Sequence, residues 1–192
     1  MNSLIPQGLL ACAFLALARP AVAEEPELFP DASLRLQGAR YAPVYPDLHW
    51  DTWIGAGAGL LRVGDATIYF RADVETIAGN TRRAFDAAQV NYHLEPGVRV
   101  NLGQEREADI FFHHVSRHVI DTEKTPSVEW NIVGLGGSMS VPRHPIRLTA
   151  SIGHEVQEAN VHYQWELVGQ IEADALRRPW GAVYVTTLGR GV

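Results

Sequence analysis

Residues 109–121 read DIFFHHVSRHVID. His113, His114, Ser116, Arg117 and His118 stand among Phe, Val and Ile, with Asp109 and Asp121 at the two ends. A serine beside a histidine is the kernel of acyl-transfer chemistry. The imidazole takes the hydroxyl proton, and a carboxylate holds the imidazole in place. Histidines also ligate metals, and polar side chains on one face of a strand also form plain hydrogen-bonded packing. Spacing separates these readings. On a strand His114, Ser116 and His118 share one face, while Phe111, His113, Val115, Arg117 and Val119 share the other. Positions two apart are roughly 7 Å apart at a rise of about 3.3 Å per residue, so His114 and Ser116 are neighbours. His114 and His118 are roughly 13 Å apart by the same rise, too far to share one ion. His113 and His114 point to opposite faces. Zinc would need ligands from neighbouring strands, and the sequence names none, so the reading carries no metal and no cofactor.

Glu129 completes the acyl-transfer reading. A hairpin folded about Thr122-Glu123 sets residue 116 opposite residue 129, and directly opposed residues have Cβ atoms about 5 Å apart. Ser116 is then the candidate nucleophile, His114 the base and Glu129 the orienting acid, with His118, Arg117 and Asp121 as accessory groups. The competing reading keeps the same residues as a polar packing network without chemistry.

The elements that would position these groups follow from period-two alternation, the signature of strands. In 66–78, Ile68, Phe70 and Val74 fall on one parity, and Arg71, Asp73 and Glu75 on the other. In 86–103, Val90, Tyr92, Leu94, Pro96, Val98, Val100 and Leu102 oppose Gln89, Asn91, His93, Glu95, Gly97, Arg99 and Asn101. Parity does not break at Pro96-Gly97, so this is one long strand with a kink or bulge there. The same reasoning gives eight strands: about 49–61, 66–79, 85–103, 109–120, 128–140, 146–156, 161–174 and 180–189. The joints are short and rich in turn residues, so neighbours run antiparallel in a meander. No helical pattern of useful length is present. The row Gly55, Gly57, Gly59 leaves room for larger groups opposite. Gly134-Leu135-Gly136-Gly137-Ser138 lacks the lysine of a phosphate loop and reads as close strand contact.

Ahead of the strands, residues 1–23 read as a secretory signal. Leu9 to Ala18 is apolar, and Ala21-Val22-Ala23 is a small-residue cleavage site. The only cysteine, Cys12, lies inside this segment, in a Leu9-Leu10-Ala11-Cys12 run that also resembles a lipoprotein box. A chain cleaved after Ala23 has no disulfide and no thiolate. Residues 24–48, with Pro26, Pro30, Pro43 and Pro46, form an irregular lead-in with one short strand near 33–41, and 49–192 form the barrel domain. A net charge of −6 gives no reason to expect nucleic acid as a partner.

An antiparallel meander with one apolar face closes in one of two ways. A soluble barrel, here a periplasmic one binding a small apolar ligand, puts that face inside. A transmembrane barrel puts it against lipid. Several strands reach the ten or so residues that a tilted spanning strand needs. The chain has a single lysine, Lys124, fewer than a solvated outer face would show. Trp50, Trp53, Trp130, Trp165 and Trp180 suit interfacial girdles. The expectation is an all-β, antiparallel up-and-down meander closed as an eight-stranded transmembrane barrel of the bacterial outer membrane. Its lumen would be plugged by Arg71, Asp73, Glu75, Arg99, Arg147, Glu155, Glu166 and Glu172, too full for a pore. The ending Leu188-Gly189-Arg190-Gly191-Val192 lacks the usual terminal aromatic, which leaves open a larger barrel of which this is a part.

His114-Val115-Ser116, with an acid about a dozen positions on across a hairpin, resembles the outer-membrane lipid A deacylases of the PagL type. The resemblance implies an eight-stranded barrel that hydrolyses an ester-linked acyl chain of lipopolysaccharide, with Ser116 as nucleophile, His114 as base and Glu129 as orienting acid. It covers a short motif and the architecture. His118 stands where that family has small residues. That family's triad faces lipid, whereas parity here groups Ser116 with the polar, lumenal set. The run His114-Val115-Ser116-Arg117-His118-Val119-Ile120-Asp121 is also similar to a run in uncharacterised bacterial barrel proteins, which implies no chemistry. The function expected first is a small integral outer-membrane barrel without established catalysis, in contact with outer-membrane lipid or lipopolysaccharide. The deacylase-like esterase stands second.

Overall fold

Alternating sequences pair where each strand can put like beside like, and the computed structural model bears this out along the described residues. It describes residues 25–40, 49–79, 86–119, 128–159, 164–178 and 181–191. The signal segment 1–23, Asp121, Lys124, Trp180 and the pair Arg82-Arg83 lie outside the described residues. Among the described residues ten strands occur in chain order. β1 (Glu27–Leu28) and β2 (Ala32–Arg40) lie in the Pro-rich lead-in. The eight strands of the meander follow: β3 (Trp50–Val63), β4 (Ala66–Gly79), β5 (Asp86–Gly103), β6 (Arg106–Val119), β7 (Val128–Ser140), β8 (Ile146–Ala159), β9 (Trp165–Arg178) and β10 (Gly181–Gly191). β5 is one strand of 18 residues. Its ladder to β6 skips Glu95 and Pro96, where proline offers no N–H, and resumes at Gly97↔Phe111 in the same register.

All ten strands belong to one antiparallel sheet, each long strand pairing with the next. The closed eight-stranded barrel is corrected on one point: among the described residues the sheet is open. β10 pairs β9 alone, and the other edge of β3 is taken by β1 and by β2 along Ala32↔Ala58 to Arg40↔Trp50. The physical reason is that β2 alternates as the long strands do. Leu34 and Leu36 sit beside Ala56 and Ile54, and Arg35 beside Gly55, so β2 completes the pattern at the edge a closing strand would need.

The two faces are unlike. Ile54, Ile68, Phe70, Val98, Leu135, Leu167 and Ile171 are exposed on one of them. The other buries Thr67, Glu75, Asn91, His93 and Glu166 around a small apolar cluster of Tyr69, Phe111, Val115, Trp130 and Ile132. Among the described residues no second layer covers this polar face. It is buried because the sheet curls about it. Tyr69 of β4 reaches Asp109 of β6 at 3.2 Å, and Arg147 of β8 reaches Glu107 of β6 at 2.6 Å. Each contact spans two strand spacings of about 4.8 Å. Trp53 and Trp130 point into this face, each 8% exposed, so they do not join an outer girdle. Trp165, 52% exposed, lies on the apolar face.

Glycines make the curl possible by admitting large neighbours. A Cβ on Gly57 would lie 2.7 Å from Arg71 Cγ, and one on Gly134 would lie 2.2 Å from Phe111 Cζ with two more ring carbons at 2.7 and 2.8 Å. The Phe111 ring is itself packed in the apolar cluster and has no free direction in which to yield. Gly134→Ala is therefore expected to cost about 1–3 kcal/mol, the usual penalty of overpacking, read as a lower urea midpoint. Gly169→Ala, whose Cβ meets nothing within 4 Å, should leave the midpoint unchanged or raise it.

Candidate functional site

The position of DIFFHHVSRHVID depends on one register detail. The β5–β6 turn brings Gly103 opposite Arg106, but from Asn101↔Glu107 onward the register shifts by one. Leu102 is the extra residue, and the Gly103 N–H that the bulge frees donates to Asn101 Oδ1 at 2.8 Å. Gly103 adopts φ +73°, the left-handed conformation that glycine tolerates. A one-residue slip exchanges the faces of a strand. Beyond the bulge Tyr92 faces Ser116 and Leu94 faces His114, so His114, Ser116 and His118 stand on the exposed apolar face. This corrects the expectation that Ser116 belongs with the polar, buried set.

The next hairpin pairs Ser116 with Glu129 and His114 with Asn131, with no shift along its length. The hydrogen bonds sort the two histidines differently from the sequence reading. Ser116 Oγ lies 3.1 Å from His118 Nε2. His114 Nδ1 instead lies 2.7 Å from Asn131 Oδ1, and Asn131 Nδ2 donates to Gln157 Oε1 at 3.2 Å. Ser116 thus has His118, two residues C-terminal, as its imidazole partner. Glu129 stands across from Ser116, and its carboxylate has no hydrogen bond among the described residues. The hydroxyl donates where Nε2 carries no proton, which is the arrangement that draws the proton off a serine nucleophile.

Among the accessory candidates only His118 joins Ser116. Arg117 points to the other face, its guanidinium 5.6 Å from the Trp130 ring centroid, and Asp121 lies outside the described residues. Residue-by-residue reading passed over Asn131, Gln157 and Tyr92. The hairpin arithmetic that pairs 116 with 129 also pairs 114 with 131, so Asn131 carried a signal. Tyr92 needed the bulge at Leu102, which leaves none in the local pattern. The Tyr92 and His118 rings meet edge to face, 5.3 Å apart at 76°.

The polar face carries the residues expected in the lumen. Arg71 pairs Glu95, Arg35 lies 3.9 Å from Asp73, and Arg99 binds Asp31 at 2.9 Å. Arg147 binds Glu107 and Ser138, each at 2.6 Å. Glu75 accepts from Asn91 and lies 3.4 Å from His93 Nε2, whose Nδ1 is 3.1 Å from His113 Nε2. Glu155 and Glu166 sit opposite Ile132 and Gly153 on the same face, and Glu172 is the cross-strand neighbour of Arg147. His93 turns its two nitrogens to different partners, so Glu75, His93 and His113 form a chain, not a convergent ligand set. Among the described residues no group of three or more His, Cys, Asp or Glu is arranged to hold a metal. Comparison of the chain with protein-family models, with curated proteins and with solved structures finds no match.

Proposed function

We propose that the chain is an integral β-barrel protein of the bacterial outer membrane, exported through a cleaved signal peptide. Its outward face then carries a serine esterase that cleaves an acyl ester of a membrane lipid, lipopolysaccharide being the substrate that the PagL-type resemblance implies. The observation that carries the reading is the Ser116–His118 hydrogen bond on the exposed face, across from Tyr92 and with Leu94 next on that face of β5. A polar group on a lipid-facing surface is costly without a function or a partner. Here a nucleophile and a base meet where an acyl chain would lie.

Orientation supports the membrane. A soluble barrel binding an apolar ligand turns its apolar side chains inward, and the described pattern is the reverse. Strands of 13 to 18 residues in β3 to β9 exceed the span requirement. Closure of the eight long strands needs β10 to pair β3 along the edge that β2 holds.

The chemistry follows from the two side chains. Ser116 Oγ attacks the ester carbonyl carbon as its proton passes to His118 Nε2. The imidazolium returns that proton to the leaving alkoxide, and the acyl group stays on Ser116. Water then attacks the acyl-enzyme, giving a proton to His118, and the fatty acid leaves as Ser116 Oγ recovers it. Mass spectrometry of lipid A from cells expressing the wild type tests the reading. Loss of one acyl chain is the expected result. An unchanged spectrum, with folded protein in the outer membrane, would remove the enzyme and leave a non-catalytic barrel with a side-chain-filled interior.

A further inference from the structure

A general base on a strand must be held at the right rotation, because histidine χ2 is a soft torsion. In the usual triad an acid does this through the second ring nitrogen. His118 has no such acid among the described residues. Glu129 makes no hydrogen bond to it, and Asn131 is engaged by His114. His118 is exposed and stands next to the last residue of β6, where backbone packing alone does not fix its ring.

Tyr92 is what meets it. Tyr92 is the cross-strand partner of Ser116, and its ring lies edge to face with the His118 imidazole, centroids 5.3 Å apart. Among the described residues the Tyr92 hydroxyl bonds nothing, so the ring is what acts. We infer that Tyr92 is the positioning residue of the Ser116–His118 pair, a ring taking the place of the acid; this rests on the esterase reading. The contact also changes during the reaction. As His118 gains the serine proton it becomes a cation whose ring centroid lies 5.3 Å from that of Tyr92, within the distance at which an aromatic ring attracts a cation placed over its face. An interaction stronger in the transition state than in the ground state raises kcat and leaves KM alone.

The test uses purified protein in detergent micelles with p-nitrophenyl decanoate as the probe, comparing wild type, Ser116→Ala, Tyr92→Phe and Tyr92→Leu. Tyr92→Phe keeps the ring and should stay within about twofold of wild type. Tyr92→Leu should lower kcat about tenfold, the factor a strong aromatic pair is worth, with KM unchanged and the fold intact by circular dichroism. Equal kcat for Tyr92→Leu and wild type would overturn the role, as would a Tyr92→Phe loss as large as that of Tyr92→Leu. A wild type no faster than Ser116→Ala would overturn the esterase reading and the positioning role together.

Discussion

Leu135→Arg is expected to destabilise the folded protein in lipid vesicles by about 2–4 kcal/mol, the cost of an arginine facing lipid at the bilayer midplane. Leu135 sits at the middle of β7, 60% exposed, between Ile110 of β6 and Ile152 of β8. In a soluble sheet an exposed leucine changed to arginine costs within about 0.5 kcal/mol. The two environments therefore predict different sizes for one substitution. Depth supplies the control. Val63, the last residue of β3 and 50% exposed, would lie at the membrane interface, where the same change costs about 0–1 kcal/mol. Urea titrations of wild type, Leu135→Arg and Val63→Arg should show a large and a small loss in that order. Equal small losses would mean that the apolar face does not meet lipid.

Much of the architecture was legible because each strand carries its own proof. An alternation such as Ile68, Phe70, Val74 against Arg71, Asp73, Glu75 needs no partner to be read, and the short turns dictate the order of pairing. The pairing of 116 with 129 was legible for the same reason, since the β6–β7 register has no shift. The face of Ser116 was not. β6 is polar on both sides, with His113 and Arg117 on one and His114, Ser116 and His118 on the other, so its own alternation decides nothing. The decision falls to Leu102, a residue in an apolar run that gives no local sign of bulging. Counting from the β5–β6 turn without the bulge sets Ser116 opposite His93, in the polar set; with the bulge it faces Tyr92. The strand expected near 33–41 was legible too and stands as β2, Ala32–Arg40; its place at the edge of β3 was not, because its alternation, Leu34 and Leu36 against Arg35 and Gln37, does not name the strand it pairs.

Ser116→Ala is expected to lower ester cleavage by on the order of 10⁴-fold or more, as nucleophile removal does in serine hydrolases, while leaving the fold intact, since among the described residues the hydroxyl hydrogen-bonds to His118 alone. The substitution alone does not say which histidine is the base, and the geometry makes that a separate, sharper comparison. A nucleophile and its base fail as a unit, so Ser116→Ala/His118→Ala should be no slower than Ser116→Ala by itself. His118→Ala alone should approach that floor. His114→Ala should cost far less, about tenfold, because its ring is tied to Asn131 and through it to Gln157. The reverse order, with His114→Ala at the floor and His118→Ala mild, would return the base to the position that the PagL-type motif implies. It would also require His114 to leave Asn131 when substrate arrives. Asn131→Leu separates these cases further. It frees the His114 ring, so it should leave cleavage unchanged if His118 is the base and alter it if His114 is, with kcat for p-nitrophenyl decanoate as the common readout.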